Sequence, residues 1–151
     1  TLPIQIRFIE FMPFAGNKWD RSKVLTASEM LQVIQQNFEI EKCTDTPNST
    51  SRIYQASGHV GSFAFITTMS DQFCSSCNRL RLTAEGKIKN CLFGKEELDL
   101  LTPLREGRNV EDLIFTSVRH KHFSMGGQFT DGSMDTQPES ITNRSMIGIG
   151  G

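Results

Sequence analysis

An α+β fold is predicted for this 151-residue chain by three features of its sequence. Residues 4–11 are a mostly apolar run whose charged residues are Arg7 and Glu10, the pattern of a strand covered on both faces. Two stretches place apolar residues at helical spacing: Met30, Val33, Ile34 and Phe38, then Val110, Leu113, Ile114 and Val118. Between them residues 79–84 alternate, with Arg79, Arg81 and Thr83 on one side of an extended strand and Leu80, Leu82 and Ala84 on the other.

Each element has a local reason. Pro13 ends the first strand because proline cannot donate to a ladder. Gly16-Asn17 marks a loop, which carries Trp19, the sole tryptophan. Thr26-Ala27-Ser28-Glu29 is a capping box that opens the first helix. Residues 39–43 read as a short strand ending at Cys43, a free thiol. Residues 45–51 are polar, contain Pro47 and read as a loop. Residues 52–55 extend a strand, and 56–62 return through Gly58, His59 and Gly61. That loop lacks the spacing of a phosphate-binding motif, so His59 reads as a surface turn residue. Residues 63–69 form the next strand.

Leu98, Leu101 and Leu104 carry a short apolar segment broken by Pro103. Asn109 caps the second helix, with Glu111 and Asp112 favourable at its start. Gly126-Gly127 is the expected stop, and His120 and His122 are expected to be exposed. Residues 130–145 are polar and read as flexible. The last six residues, Met146 to Gly151, turn apolar and glycine-rich again; glycine can bring backbone close to a substrate.

Composition narrows the function. With 37% hydrophobic residues and a net charge of −1, no bulk electrostatic case exists for nucleic acid or a membrane surface. No signal peptide or apolar run of spanning length is present. Four cysteines, one remote from the other three, make no disulfide framework and fit a reducing compartment.

The chemistry concentrates in residues 73–91. Cys74 and Cys77 have C-x-x-C spacing, and Cys91 follows. A two-residue turn at Glu85-Gly86 would set Cys91 opposite Leu80, near Cys77, although turn length decides its face. Three soft thiolates suit zinc or an iron–sulfur cluster. Zinc would need a fourth ligand from Cys43, His59, His120 or His122, none at a usual spacing. A 4Fe–4S cluster on three cysteines would leave one iron open to a ligand. Four basic residues (Arg79, Arg81, Lys87, Lys89) against one acid, Glu85, give this stretch a balance of +3, suited to phosphate oxygens. The plainer alternatives are a structural metal knuckle and a solvated strand face.

The run Phe73-Cys74-x-x-Cys77-Asn78-Arg79-Leu80-Arg81-Leu82-Thr83-Ala84-x-Gly86-Lys87, ending at Cys91-Leu92-Phe93, resembles the C-terminal cluster motif of the GTP 3′,8-cyclases. These are the radical-SAM enzymes that open molybdenum-cofactor biosynthesis. Residues 7–13 (Arg-Phe-Ile-Glu-Phe-Met-Pro) resemble a late barrel strand of that family, and Gly150-Gly151 resembles its double-glycine tail.

The resemblance implies that Cys74, Cys77 and Cys91 hold a 4Fe–4S cluster whose open iron binds the guanine of GTP. It implies substrate contacts from Arg79 and Arg81, phosphate contact from Arg7, and a place for Met12 near the adenosyl group of S-adenosylmethionine (SAM). Gly150 and Gly151 are implied to reach into the active site as catalytic residues. The implied fold is the end of an incomplete βα (TIM-like) barrel over residues 1–45. A β-rich cluster-binding domain follows over 46–127, then a flexible tail over 128–151. In such a barrel Glu10 and Met12 would stand at the functional end of a strand.

The C-x-x-x-C-x-x-C motif of that family's SAM-cleaving 4Fe–4S cluster is absent. The expectation is therefore the C-terminal part of a longer protein, inactive alone. The implied reaction is abstraction of the ribose C3′ hydrogen of GTP by a 5′-deoxyadenosyl radical, then attack of C3′ on C8. The implied partners are GTP, SAM and the cyclic pyranopterin monophosphate synthase that takes the product; no nucleic acid or membrane is implied, and a homodimer stays open. The implied location is the mitochondrial matrix in a eukaryote and the cytoplasm otherwise. Two other readings stand beside this one. One is a non-catalytic zinc or iron–sulfur module that binds a nucleotide or partner protein. The other is a different radical-SAM enzyme with an auxiliary cluster, acting on a peptide.

Overall fold

The computed structural model describes residues 2–129 and 142–149. The polypeptide divides into two compact units. One is built from the residues up to Met12 together with Asp20–Cys77. The other is built from Pro13–Trp19 and the residues from Asn78 onward. The mixed helix and strand content agrees with the α+β expectation.

The first unit holds a four-stranded sheet in the order β1-β4-β3-β2, comprising β1 (Gln5–Ile9), β2 (Ile40–Lys42), β3 (Arg52–Ala56) and β4 (Ser62–Ile66). β1 runs parallel to β4, with Arg7 opposite Ala64 and Phe8 opposite Phe65. β3 and β2 continue the sheet antiparallel. Parallel pairing needs a long crossover, here supplied by helix α1 (Ala27–Gln35) and the β2–β3 hairpin. Thr26 and Glu29 exchange both bonds of the expected capping box. Phe8, Phe63, Phe65 and Tyr54 form an aromatic ladder on the sheet, with ring centroids 5.5–5.7 Å apart.

The first strand departs from its expected burial. Every residue of β1 is exposed, including Ile6, Phe8 and Ile9. Among the described residues β1 is hydrogen-bonded only to β4, so its other edge and much of both faces meet solvent. Val33 and Phe38 of the first helical stripe are exposed as well.

The second unit carries a three-stranded sheet, β5 (Arg81–Leu82), β6 (Lys87–Lys89) and β7 (Leu98–Asp99), paired antiparallel in that order. Helix α2 (Leu101–Arg105) tolerates Pro103 because it falls in the first turn, where a backbone N–H has no partner to lose. Helix α3 (Glu111–Arg119) starts where the Asn109 side chain accepts from the Glu111 N–H at 2.8 Å. Its covered face is Leu113, Ile114 and Ser117, and Val118 is exposed, so the stripe is rotated from the expected one. The core of this unit gathers Phe14, Trp19, Ile88, Phe93, Met125 and Ile149, with Phe14 stacked on Phe93 at 5.5 Å.

Gly126-Gly127 does not stop α3, which ends at Arg119; the pair forms a later 3₁₀ turn, Met125–Gly127. Gly126 has φ +63°, and a Cβ there would lie 2.5 Å from the Gly94 backbone nitrogen. Both strain and collision bear on backbone rather than on a flexible side chain. Gly126→Ala is therefore expected to destabilise this unit by about 1–3 kcal/mol. Denaturant unfolding would check this, and an unchanged midpoint would contradict it.

Candidate functional site

In the first unit the chemistry hangs from a buried carboxylate. Glu10 follows β1 and is 1% exposed. Its oxygens accept from the backbone N–H groups of Ala27 (3.0 Å), Met69 (2.8 Å) and Ser70 (2.9 Å), and from the Ser70 hydroxyl. One acid thus ties the start of α1 and the segment after β4 to the end of β1. Its partners are backbone N–H donors and one hydroxyl, charge-assisted bonds that hold the carboxylate in place. The held segment continues through Asp71, whose N–H donates to the Thr67 carbonyl and whose carboxylate pairs with Arg52.

That segment delivers the cysteines. Cys74–Ser76 is a single 3₁₀ turn closed by the Cys77 N–H on the Cys74 carbonyl at 3.1 Å. Cys77 follows the turn as its C-terminal cap in extended backbone, so one closed turn separates the two cysteines. Both are half-buried. Beside the turn lies a polar cavity of about 300 Å³ lined by Thr46, Thr50, Arg52, Thr67, Gln72 and Ser75, among others. Arg7 is exposed on β1 and donates to the Gln5 side chain at 2.8 Å. Met12 is half-buried beyond the end of that strand. His59 stacks edge-on against Phe38 and lies 3.1 Å from the Ser57 carbonyl, away from any ligand set.

In the second unit the hairpin register differs from the expected one. Arg81 pairs with Lys89 and Leu82 with Ile88. The Thr83 N–H donates to Lys87 O at 2.9 Å, leaving three loop residues, Ala84, Glu85 and Gly86. Gly86 adopts φ +74°, as three-residue hairpins require at that position. The register is one step from the expected one and, continued, would face Cys91 toward Arg79 rather than Leu80. The coverage of β5 is also reversed. Thr83 is 3% exposed and Arg81 half-buried, whereas Leu80 and Leu82 are 40% and 60% exposed. Cys91, half-buried, begins a tight turn closed by the Gly94 N–H at 3.1 Å.

The basic balance of the motif is partly spent inside the fold. Lys89 is 1% exposed and donates to the Gly94 carbonyl at 2.6 Å and to Glu97 at 3.4 Å. Lys87 stands 4.0 Å from Glu97, and Arg144 pairs with Glu97 at 2.7 Å. Burial pushes the Glu97 carboxyl up, but the Arg144 hydrogen bond and the Lys89 and Arg144 charges outweigh it, and its pKa lies below the ordinary value. Beside the hairpin, Lys121 donates to the Arg79 carbonyl at 2.8 Å. The Lys89–Glu97–Arg144 group was not read from the sequence. The only signal was a lysine in an otherwise covered strand.

Cys74 and Cys77 belong to the first unit and Cys91 to the second. Among the described residues no three His, Cys, Asp or Glu form a ready metal-holding group. Gly150 and Gly151 lie outside the described residues. No helix among the described residues is long and apolar enough to cross a membrane.

The family model described as Molybdenum Cofactor Synthesis C matches residues 4–125. Molybdenum cofactor biosynthesis protein 1 of Homo sapiens is 41% identical over 141 residues, which cover 91% of this chain and 22% of that protein. The mitochondrial GTP 3′,8-cyclase of Arabidopsis thaliana is 40% identical, covering 99% of this chain and 37% of that protein. The GTP 3′,8-cyclase of Desulforamulus reducens is 41% identical over 80% of this chain and 39% of its own length. The chain thus spans between about a fifth and two fifths of these relatives.

Proposed function

The chain belongs to the Molybdenum Cofactor Synthesis C family, and from that premise we propose that it is the C-terminal part of a GTP 3′,8-cyclase. In this reading it holds a second 4Fe–4S cluster and GTP while the enzyme converts GTP and SAM to (8S)-3′,8-cyclo-7,8-dihydroguanosine 5′-triphosphate. The observation that supports the reading is the C-x-x-C pair Cys74 and Cys77, separated by a single closed 3₁₀ turn, within a motif that continues into Arg79 and Arg81. Soft thiolates suit such a cluster, and Cys74, Cys77 and Cys91 would hold it. When bound, it supplies an open iron that takes the guanine base.

The residues of this chain bind and orient. Arg79, Arg81 and Arg7 neutralise the triphosphate through forked hydrogen bonds. Met12 packs near the adenosyl group of SAM. Fixing C3′ against C8 removes translational and rotational freedom before reaction, which is where a binding domain contributes most to rate. The radical chemistry would be supplied by SAM and a further 4Fe–4S cluster, for which this chain carries no C-x-x-x-C-x-x-C motif. The product passes to the cyclic pyranopterin monophosphate synthase. The proposed location in a eukaryote is the mitochondrial matrix, and otherwise the cytoplasm.

Anaerobic full-length protein should hold, beyond the SAM-cleaving cluster, roughly four further irons and sulfides with an absorption spectrum that GTP perturbs. One zinc and no response to GTP would return the motif to a structural knuckle. Arg79→Ala and Arg81→Ala should each weaken GTP binding about tenfold or more, the worth of one charge-assisted contact. Unchanged affinity in a direct titration would make them a surface strand.

A further inference from the structure

We infer that Glu97 and Arg144 are positioning residues that seat the C-terminal segment for cyclisation, with Lys89 as their buried support. The inference rests on the proposed cyclase function and on the role that the family resemblance implies for Gly150 and Gly151 at the reacting centre.

The segment at 142–149 has little internal structure to place it. Helix α4 (Met146–Ile149) is four residues long, far below the length at which a helix is stable alone. Its position comes from contacts outside itself: the buried Ile149 and a set of bonds that converge on residues 142–144. Arg144 reaches Glu97 at 2.7 Å with one guanidinium nitrogen. With the other it reaches Glu85 at 2.8 Å and the Gly148 carbonyl at 3.3 Å. It therefore joins the hairpin turn, the strand-leading loop and α4 through one rigid fork. Asn143 donates to the Leu92 carbonyl at 2.8 Å and accepts from Lys89 at 3.4 Å. Thr142 N–H donates to the Gln128 side chain at 3.0 Å.

Glu97 is the shared point. It is faced by Lys87, Lys89 and Arg144, and only Arg144 belongs to the terminal segment. Lys89 spans from Glu97 to the Gly94 carbonyl, three residues past Cys91. The anchor is thus built on the loop that starts at the third cysteine. Ile149, at 1% exposure, ends the seated stretch. Two residues extend at most ~7 Å beyond it, so where Ile149 sits decides what Gly150 and Gly151 reach.

The test uses the full-length enzyme and three variants: Arg144→Gln, Arg144→Lys and deletion of Gly150-Gly151. The readouts are kcat, KM for GTP, iron content, and 5′-deoxyadenosine released per cyclised product. Arg144→Gln should lower kcat about tenfold or more, the cost of a small misplacement. KM for GTP and iron content should hold, and 5′-deoxyadenosine per product should rise. Arg144→Lys keeps the charge but cannot bridge Glu85 and Glu97, and should lose less while folding normally. Normal coupling in Arg144→Gln, with the deletion inactive, would overturn the anchor and leave the tail reading intact. A fully active deletion would overturn both by removing the role that the anchor serves.

Discussion

Cys74→Ser, Cys77→Ser or Cys91→Ser in the full-length enzyme is expected to abolish cyclisation while SAM cleavage persists. Serine is nearly isosteric with cysteine, so the fold of the turn should survive. Its backbone closure, Cys77 N–H to Cys74 O, does not involve sulfur. What serine removes is a soft ligand, and a hard oxygen is a poor substitute toward iron. Without the cluster GTP loses its proposed anchor, and a shift of even ~1 Å at the reacting carbons costs about 10²-fold. The expected measurement is loss of about four irons per chain, product formation below detection, and continuing release of 5′-deoxyadenosine. Cyclisation at the normal rate in any one variant would refute the three-cysteine assignment. A variant that loses SAM cleavage as well would point to global damage.

Glu10→Ala should be the most destabilising single change in the first unit, by about 3–5 kcal/mol. Removing the carboxylate strands the N–H groups of Ala27, Met69 and Ser70 where Glu10 itself is almost fully enclosed. Each buried donor left without a partner costs about 1–3 kcal/mol, partly recovered if water enters. Glu10→Gln keeps the shape and one carbonyl acceptor, and should lose roughly half as much. Because Met69 and Ser70 lead into the cysteine turn, both variants should also bind iron less firmly. Denaturant unfolding of the full-length protein together with iron retention under a chelator would test this. A loss below about 1 kcal/mol for Glu10→Ala would mean that the three backbone donors find other partners.

The features legible in the sequence were those set by neighbours along the chain. The Thr26–Glu29 box and the β2 and β3 strands follow from local chemistry, and each appears near its expected place. Features set by distant contacts were not legible. Glu85-Gly86 fits a two-residue or a three-residue turn equally well. The structure's choice goes with Leu101, whose N–H donates to the Gly86 carbonyl and whose side chain would meet a Cβ on Gly86 at 2.4 Å. No window around the hairpin contains Leu101. The same one-residue step decides which side of β5 is covered, so the leucines rather than Arg81 and Thr83 came out exposed. Glu10 and Lys89 were invisible for a related reason. A charge within an apolar strand signals that it must be paired, but its partners lie 17 to 60 residues away for Glu10 and up to 54 away for Lys89.

The bare edge of β1 has a practical consequence for anyone handling this polypeptide by itself. A strand that, among the described residues, pairs on one edge only, with Ile6 and Phe8 on one face and Ile9 on the other, is a template for the same strand in a neighbouring molecule. It carries one charge, Arg7, in its five residues, too little to repel a copy of itself. Concentrated solutions of residues 1–151 would drift toward insoluble edge-to-edge stacks, and lysine at Ile6 would be the economical gatekeeper against them.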